Sequence, residues 1–473
     1  MAKKIVIDPV TRIEGHARIT IHMNDKNEVD DAQFHVTQFR GFEKLSEGRP
    51  FREMPSLMAR ICGICPVSHL VASAKACDEL LAVRIPPTAA RLREVVNLGQ
   101  LVQSHALSFF HLSSPDLLLG MDSDPARRNI IGVLEEYPDL ARAGIRLRQF
   151  GQQIIERLAG KRIHPAWIVP GGVSAPLSRE ALQQIQSEIP EMIEMTQKVL
   201  EWFRPTLGNF RDEIRTFASE PTMWMGLVTP QNTLAHYDGM LKLVAADGTV
   251  VNPAIPPASY QSFIGEAVEP YSFLKTPYYL PMGYPEGVYR VGPLARLNIV
   301  DSCGTPLADA EHARFKELPL EERHSSFHYH YTRLIEILYG IERISELLND
   351  PEITSTHVFA NAQANSYEGV GISEAPRGTL LHHYRIDDNG LIIWANLIIA
   401  TGNNNLAMNR GVTQVAKAYV KGKDVKEGML NRVEAVIRTF DPCLSCSTHA
   451  VGQMPMQVEI YDAGGDMVRE LRR

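Results

Sequence analysis

Cysteine is scarce in this chain, with six in 473 residues, too few for a disulfide-stapled secreted scaffold. Long apolar runs are missing too: no stretch reaches the roughly 18 residues a membrane-spanning helix needs. The opening Met1-Ala-Lys-Lys-Ile-Val-Ile-Asp-Pro9 holds too short an apolar run for a signal peptide. A formal charge of −7 leaves no basic excess and argues against a nucleic-acid partner. There is no internal repeat and no low-complexity tract. The composition, 44% hydrophobic and 22% charged, is that of an ordinary globular protein.

The few cysteines are not scattered. Four of the six fall in two CxxC pairs near opposite ends of the chain. Arg60-Ile-Cys-Gly-Ile-Cys-Pro-Val-Ser-His69 carries Cys62 and Cys65. Asp441-Pro-Cys-Leu-Ser-Cys-Ser-Thr-His449 carries Cys443 and Cys446. Pro66 suits the first position of a helix, and the free amides of such a start lower thiolate pKa. Cys77 reads as a small buried hydrophobe within a helix. Cys303, in Asp-Ser-Cys-Gly-Thr-Pro, is a loop cysteine without an assigned role. This count cannot support a four-cysteine iron–sulfur cluster beside a four-thiolate site.

Four thiolates admit zinc, an iron–sulfur cluster or a softer transition-metal centre. A structural zinc knuckle closes a small local loop, whereas these pairs bracket most of a long chain. Joining distant segments on one ion costs chain entropy, so the site points to chemistry rather than local folding. The two halves therefore cannot be independent domains.

Alternation and punctuation predict strands over Lys3–Ile7, Ala17–Met23 and Val29–Phe39. Helical spacing follows over Val67–Val83, Thr88–Leu119 and Asp139–Leu158, and Ile163–Pro176 reads as a loop. Ser178–Phe217 is expected as two helices broken near Pro190 and Pro205. Residues 220–306 read as loops and short strands on a helical core. His324–Asn349 is helical, with His324, His328 and His330 as packing residues, as are His105 and His111 upstream. Thr379–Ala400 forms a hairpin about Asp388-Asn389-Gly390, and helices follow over Gly402–Tyr419 and Gly428–Thr439. The fold class is α+β, a mainly helical core with small peripheral sheets and hairpins. Glu14 reads on spacing alone as a solvated turn acid and Glu43 as an acid in a first helical turn.

The two cysteine motifs resemble the signatures of nickel–iron hydrogenase large subunits. So do Arg12-Ile-Glu-Gly-His16, Arg40-Gly-Phe-Glu43 and Glu374-Ala-Pro-Arg-Gly378. The five motifs run in the family's order and cover essentially the whole chain. The opening Val6-to-His16 segment and Tyr289-Arg-Val-Gly-Pro-Leu-Ala-Arg-Leu-Asn298 look most like the cytoplasmic, NAD-reducing (bidirectional) branch. The resemblance implies that Cys62, Cys65, Cys443 and Cys446 bind nickel, and that Cys65 and Cys446 also bridge to an iron carrying cyanide and carbon monoxide. Glu14 matches a proton-relay acid, and Arg377, beside Pro376, a guanidinium above the metals, oriented by Asp441. Glu43 and His449 match residues of a separate magnesium (or iron) site. Asp116 is a looser match to an acid near Arg377.

Heterolytic splitting of dihydrogen asks a metal to take hydride and a base to take the proton. Arginine's high pKa makes it a poor base, so Cys443 is the expected acceptor, Arg377 tunes the site, and Glu14 passes the proton outward. The family implies an iron–sulfur small subunit, FMN- and NAD-binding diaphorase subunits, nickel-delivery factors and a maturation peptidase. That peptidase would act after His449, making 1–449 the mature unit and 450–473 a removable extension, read as a small hairpin. The rivals are a sulfhydrogenase or deazaflavin-linked hydrogenase, a zinc-binding module, and a complex I-type quinone subunit; the last lacks the nickel site that four cysteines here supply.

Overall fold

Lys3–Ile7, Ala17–Met23 and Val29–Val36 pair as an antiparallel sheet in which Ile5 faces Ile21 and Ile19 faces Phe34. The alternation that predicts these strands buries Ile19, Ile21, Phe34 and Val36 on one side. The third strand ends at Val36, short of the expected Phe39. The computed structural model describes residues 3–421, 424–448, 457–461 and 467–472, the last two stretches as backbone.

The helical core is built by Pro66–Leu81, Pro87–Leu107, Pro138–Ala159, Arg179–Thr206 and Tyr329–Leu348. Proline opens the first three at a position that needs no backbone donor. The expected single segment Thr88–Leu119 runs on past Leu107, but through a π-helical turn, Ser108–Ser113, into Ser114–Leu119. The expected break near Pro190 is absent, since Arg179–Thr206 is one helix, but the one near Pro205 is present: a 3-10 turn, Leu207–Phe210, leads into a second helix, Arg211–Thr216. Pro190 lies on the exposed side of the long helix, where water can reach the carbonyl that loses its amide partner, and the helix continues. Pro205 falls at the last turn, where a break costs little.

The middle of the chain forms a four-stranded sheet, ordered Tyr289–Arg290, Met223–Val228, Met240–Val244, Val250–Ile255. A helix that periodicity alone did not reveal, Pro293–Ile299, follows the left-handed Gly292. The predicted hairpin is present as Gly378–Ile386 and Ile392–Ile398, with Glu368–Ala375 as a further antiparallel strand. Gly369 and Gly371 hid that strand by interrupting its alternation. At Gly371 a Cβ would stand 1.9 Å from the Ala72 carbonyl; the bare backbone lets the Pro66–Leu81 helix lie directly on the strand that leads to Arg377. Helices Asn405–Tyr419 and Glu427–Phe440 then deliver the second cysteine pair.

Gln457–Tyr461 and Met467–Arg472 pair antiparallel, in keeping with the expected hairpin; its turn lies outside the described residues, as does His449. The result is an α+β fold with a helical centre and peripheral sheets. Among the described residues no helix is long and apolar enough to cross a membrane.

Candidate metal centre

Cys62 and Cys65 occupy the turn that enters the Pro66–Leu81 helix, with Cys65 as its N-cap residue. Two neighbours lock that turn to the next helix: Val67 N donates to Gln100 Oε1 (2.6 Å) and Gln103 Nε2 to the Ile64 carbonyl (2.8 Å). Cys443 and Cys446 lie beyond the Glu427–Phe440 helix, which ends on Asp441 in the left-handed region (φ 53°, ψ 55°). Cys443 N donates to Thr401 Oγ1 at 2.9 Å.

The N-terminal loop closes the arrangement. Residues 14 and 443 form a parallel β-bridge, and Leu444 N donates to the Glu14 carbonyl at 3.1 Å. Gly15 (φ +86°) makes this approach possible, because a Cβ there would sit 2.7 Å from Leu444 Cβ. Sγ of Cys443 is 2.9 Å from Cys446 and 3.2 Å from Cys62; Cys65 and Cys446 are 3.4 Å apart. All four sulfurs lie within 4.8 Å of one another and are buried, the one such group of ligand side chains among the described residues.

This donor set is made for a cation. Burial pushes the Cys443 and Cys446 thiols well above their ordinary value, so four anionic sulfurs this close require positive charge between them. Cys62 is the sulfur most ready to ionise: it is held well below its usual range, chiefly by hydrogen bonding to Cys443. The Ile64 and Cys65 amides also point at it, at 3.2 and 3.4 Å. A soft thiolate quartet suits nickel with iron better than any hard cation.

Arg377 faces this cluster from a fixed cradle. Its Nε donates to the Asp441 carbonyl (2.6 Å), its Nη2 meets the Asp441 carboxylate (3.2 and 3.1 Å), and its Nη1 donates to Ser104 Oγ (3.2 Å). Burial works against its charge, but Asp441 and then the cysteine sulfurs hold its pKa well above normal. Asp441 itself is raised by burial, an effect Arg377 and Arg333 only partly offset. Pro376, beside Arg377, is buried, and its carbonyl accepts from Arg296 Nη2 at 3.3 Å. Arg296 is fully enclosed, with 2.6 Å contacts to both Glu336 and Glu374; the glutamate of the Glu374–Gly378 motif is thus an anchor for the loop that carries Arg377.

Asp116 does not meet Arg377. It pairs instead with Arg12 (2.6 Å) and Arg438 (3.0 Å) and accepts from Asn431 Nδ2 (3.0 Å), tying the N-terminal loop to the last long helix. The hydroxyl of Ser104 takes the place expected for an acid beside the guanidinium. Glu14 is half-buried rather than enclosed, and its Oε2 accepts from Ser445 N at 2.9 Å. Glu43 is half-buried too; its Oε1 accepts from Lys275 Nζ (2.9 Å) and Leu397 N (2.8 Å). Its expected companion His449 lies outside the described residues.

Several participants were invisible in the sequence. Ser104 and Lys275 sit in ordinary helical or strand contexts, and Arg296, although inside the Tyr289–Asn298 segment, carries no sign of its partners; all three acquire them only in three dimensions. His164, from the loop over 163–176, hydrogen bonds through Nε2 to the Cys62 carbonyl at 3.0 Å; its left-handed φ of 50° has no sequence signature.

Two family models match the chain: one described as HoxL-like over residues 4–39, and one for nickel-dependent hydrogenases over 40–126 and 222–449. The chain is 41% identical to the beta subunit of the NAD-reducing hydrogenase HoxS of Cupriavidus necator, with 100% of each covered. It is 40% identical to a subunit of the F420-non-reducing hydrogenase vhu of Methanocaldococcus jannaschii, over 88% of this chain and 100% of that protein. A solved NAD+-reducing NiFe-hydrogenase in the H2-reduced state superposes with a TM-score of 0.92 and 43% identity, over 94% of this chain and 99% of that one.

Proposed function

The chain belongs to the nickel-dependent hydrogenase family, and from that premise we propose that it is the catalytic large subunit of a cytoplasmic, NAD-coupled enzyme cleaving dihydrogen reversibly. The observation that carries this reading is the buried quartet of sulfurs from both ends of the chain beneath a cradled guanidinium. Cys62, Cys65, Cys443 and Cys446 would together hold the nickel–iron centre with its cyanide and carbon monoxide. When bound, that centre supplies the redox site at which the dihydrogen bond is polarised.

The remaining work falls to side chains. Cys443 receives the proton on its sulfur, and Arg377 steadies the charge that develops there, its orientation fixed by Asp441. Glu14 then takes the proton outward. Support for this handover is the bridge between residues 14 and 443 and the half-exposed position of the carboxylate; a carboxyl can both accept and donate a proton. Glu43 and His449 would serve a separate magnesium (or iron) ion. Lys275 and the Leu397 amide hold the Glu43 carboxylate in place.

Electrons have no way out through this chain alone. Cys77 is buried and donates to the Phe51 carbonyl, and Cys303 lies in a distant loop, so neither can build a cluster relay. An iron–sulfur small subunit is therefore the obligate partner, with FMN- and NAD-binding diaphorase subunits beyond it. The 40% identity to an F420-non-reducing hydrogenase chain supports an acceptor set by those partners rather than here. Nickel-delivery factors and a peptidase acting after His449 would complete the mature 1–449 unit, removing 450–473. The test is reconstitution: the purified complex should reduce NAD+ with dihydrogen, and the chain expressed alone with its maturation factors should not. Robust activity without partners overturns the assignment.

A further inference from the structure

Behind the Arg377–Asp441 pair lies a cluster of buried polar groups, several of whose atoms have no hydrogen-bond partner. Arg333, 1% exposed on the Tyr329–Leu348 helix, donates from Nη2 to the Thr439 carbonyl. Its Nε and Nη1 have no hydrogen-bond partner. Ser108 Oγ and His330 Nδ1, both buried, likewise have none, while Asp441 Oδ2 is met by Arg377 Nη2 at 3.1 Å. These atoms belong together. Ser108 stands close enough to help stabilise the Asp441 carboxylate, Asp441 and Arg333 interact electrostatically, and His330 is three residues from Arg333 on one helical face. Ser108 opens the π-helical turn Ser108–Ser113, a local widening common near functional sites.

An arginine so enclosed, whose N–H groups lack acceptors, is costly. Tyr329 contributes its ring, 5.5 Å away, but this satisfies no N–H. Buried water needs two to four polar partners, and Arg333 Nε and Nη1, Ser108 Oγ and the Asp441 carboxylate offer donors and acceptors in that number.

We propose that Arg333, Asp441 and Ser108 hold buried water, and that Arg333 acts through it as a positioning residue, a second cation that keeps the Asp441 carboxylate aimed at Arg377. The inference depends on the hydrogenase reading, because the charge balanced is that of the thiolate-bound centre. With Arg377 and Arg333 against Asp441, the protein contributes one net positive charge behind the sulfurs. Removing it leaves the centre more electron-rich, which lowers both its midpoint potential and the stretching frequencies of carbon monoxide and cyanide.

The test compares Arg333→Gln and Arg333→Lys in the purified complex, with nickel and iron content, infrared bands and midpoint potential read alongside turnover. The Gln variant should retain both metals, shift the bands and potential downward, and lose about 10- to 100-fold in kcat. The Lys variant, which keeps the charge, should hold its bands near the native positions. Metals present with bands unmoved in Arg333→Gln, or moved equally in both variants, overturns the proposal. A native complex without nickel, iron or these bands overturns the hydrogenase reading instead. Should Arg333→Gln not accumulate, a high-resolution structure of the native complex decides. Ordered water joining Arg333 to Asp441 supports the proposal, and a dry contact between them refutes it.

Discussion

Glu14 and Arg377 perform different tasks, and conservative substitutions separate them. Glu14→Gln keeps an oxygen to accept from Ser445 N and loses only the exchangeable proton. It should retain metal and slow hydrogen turnover by about 100-fold or more, measured as hydrogen uptake by a metal-replete complex; near-native uptake would reject the relay. Arg377→Lys keeps the charge but not the planar fork that reaches both Asp441 and Ser104. A loss of about 10- to 100-fold in kcat is expected, with nickel and iron content unchanged. At this scale the sequence was informative where a residue type carries its own chemistry. Four cysteines in two pairs can be read without a structure. Ser104 beside Arg377 cannot, because a helical serine looks like any other until its neighbour is known. Asp116 illustrates the converse: an acid of the right type belongs to a different cluster.

Elements bring those residues together through contacts that the sequence encodes only in part. The Asp116 carboxylate joins the Arg12 loop to the Glu427–Phe440 helix. Burial alone would raise its pKa, but Arg438 and Arg12 reverse this and hold it below 3.8. A carboxylate depressed on folding contributes stability that is complete above the unfolded value and lost as pH falls through the lower folded one. Asp116→Asn leaves two arginines short of a counter-charge and should cost roughly 3 kcal/mol near neutral pH. Denaturation of the complex checks this: the gap from the native protein should persist at mildly acidic pH and narrow only below about 4. The predicted strands and most helices were legible from periodicity. The strand Glu368–Ala375 was not, since its glycines serve a neighbouring helix, and Pro190 misled because its cost depends on which side of the helix faces water.

For the molecule as a whole, the two cysteine pairs, from opposite ends of the chain, converge on one site, so neither half can act alone. The proposed cleavage after His449 belongs at this scale. Intact-mass measurement of active enzyme should find a chain ending at residue 449; one still ending at Arg473 with full nickel occupancy contradicts the processing. The central claim is that Cys62, Cys65, Cys443 and Cys446 hold a nickel–iron centre with diatomic ligands. Infrared spectroscopy of the purified complex tests it most directly. One carbon monoxide band and accompanying cyanide bands are expected, lost together in Cys446→Ser. A native complex that contains zinc and shows none of these bands would contradict it.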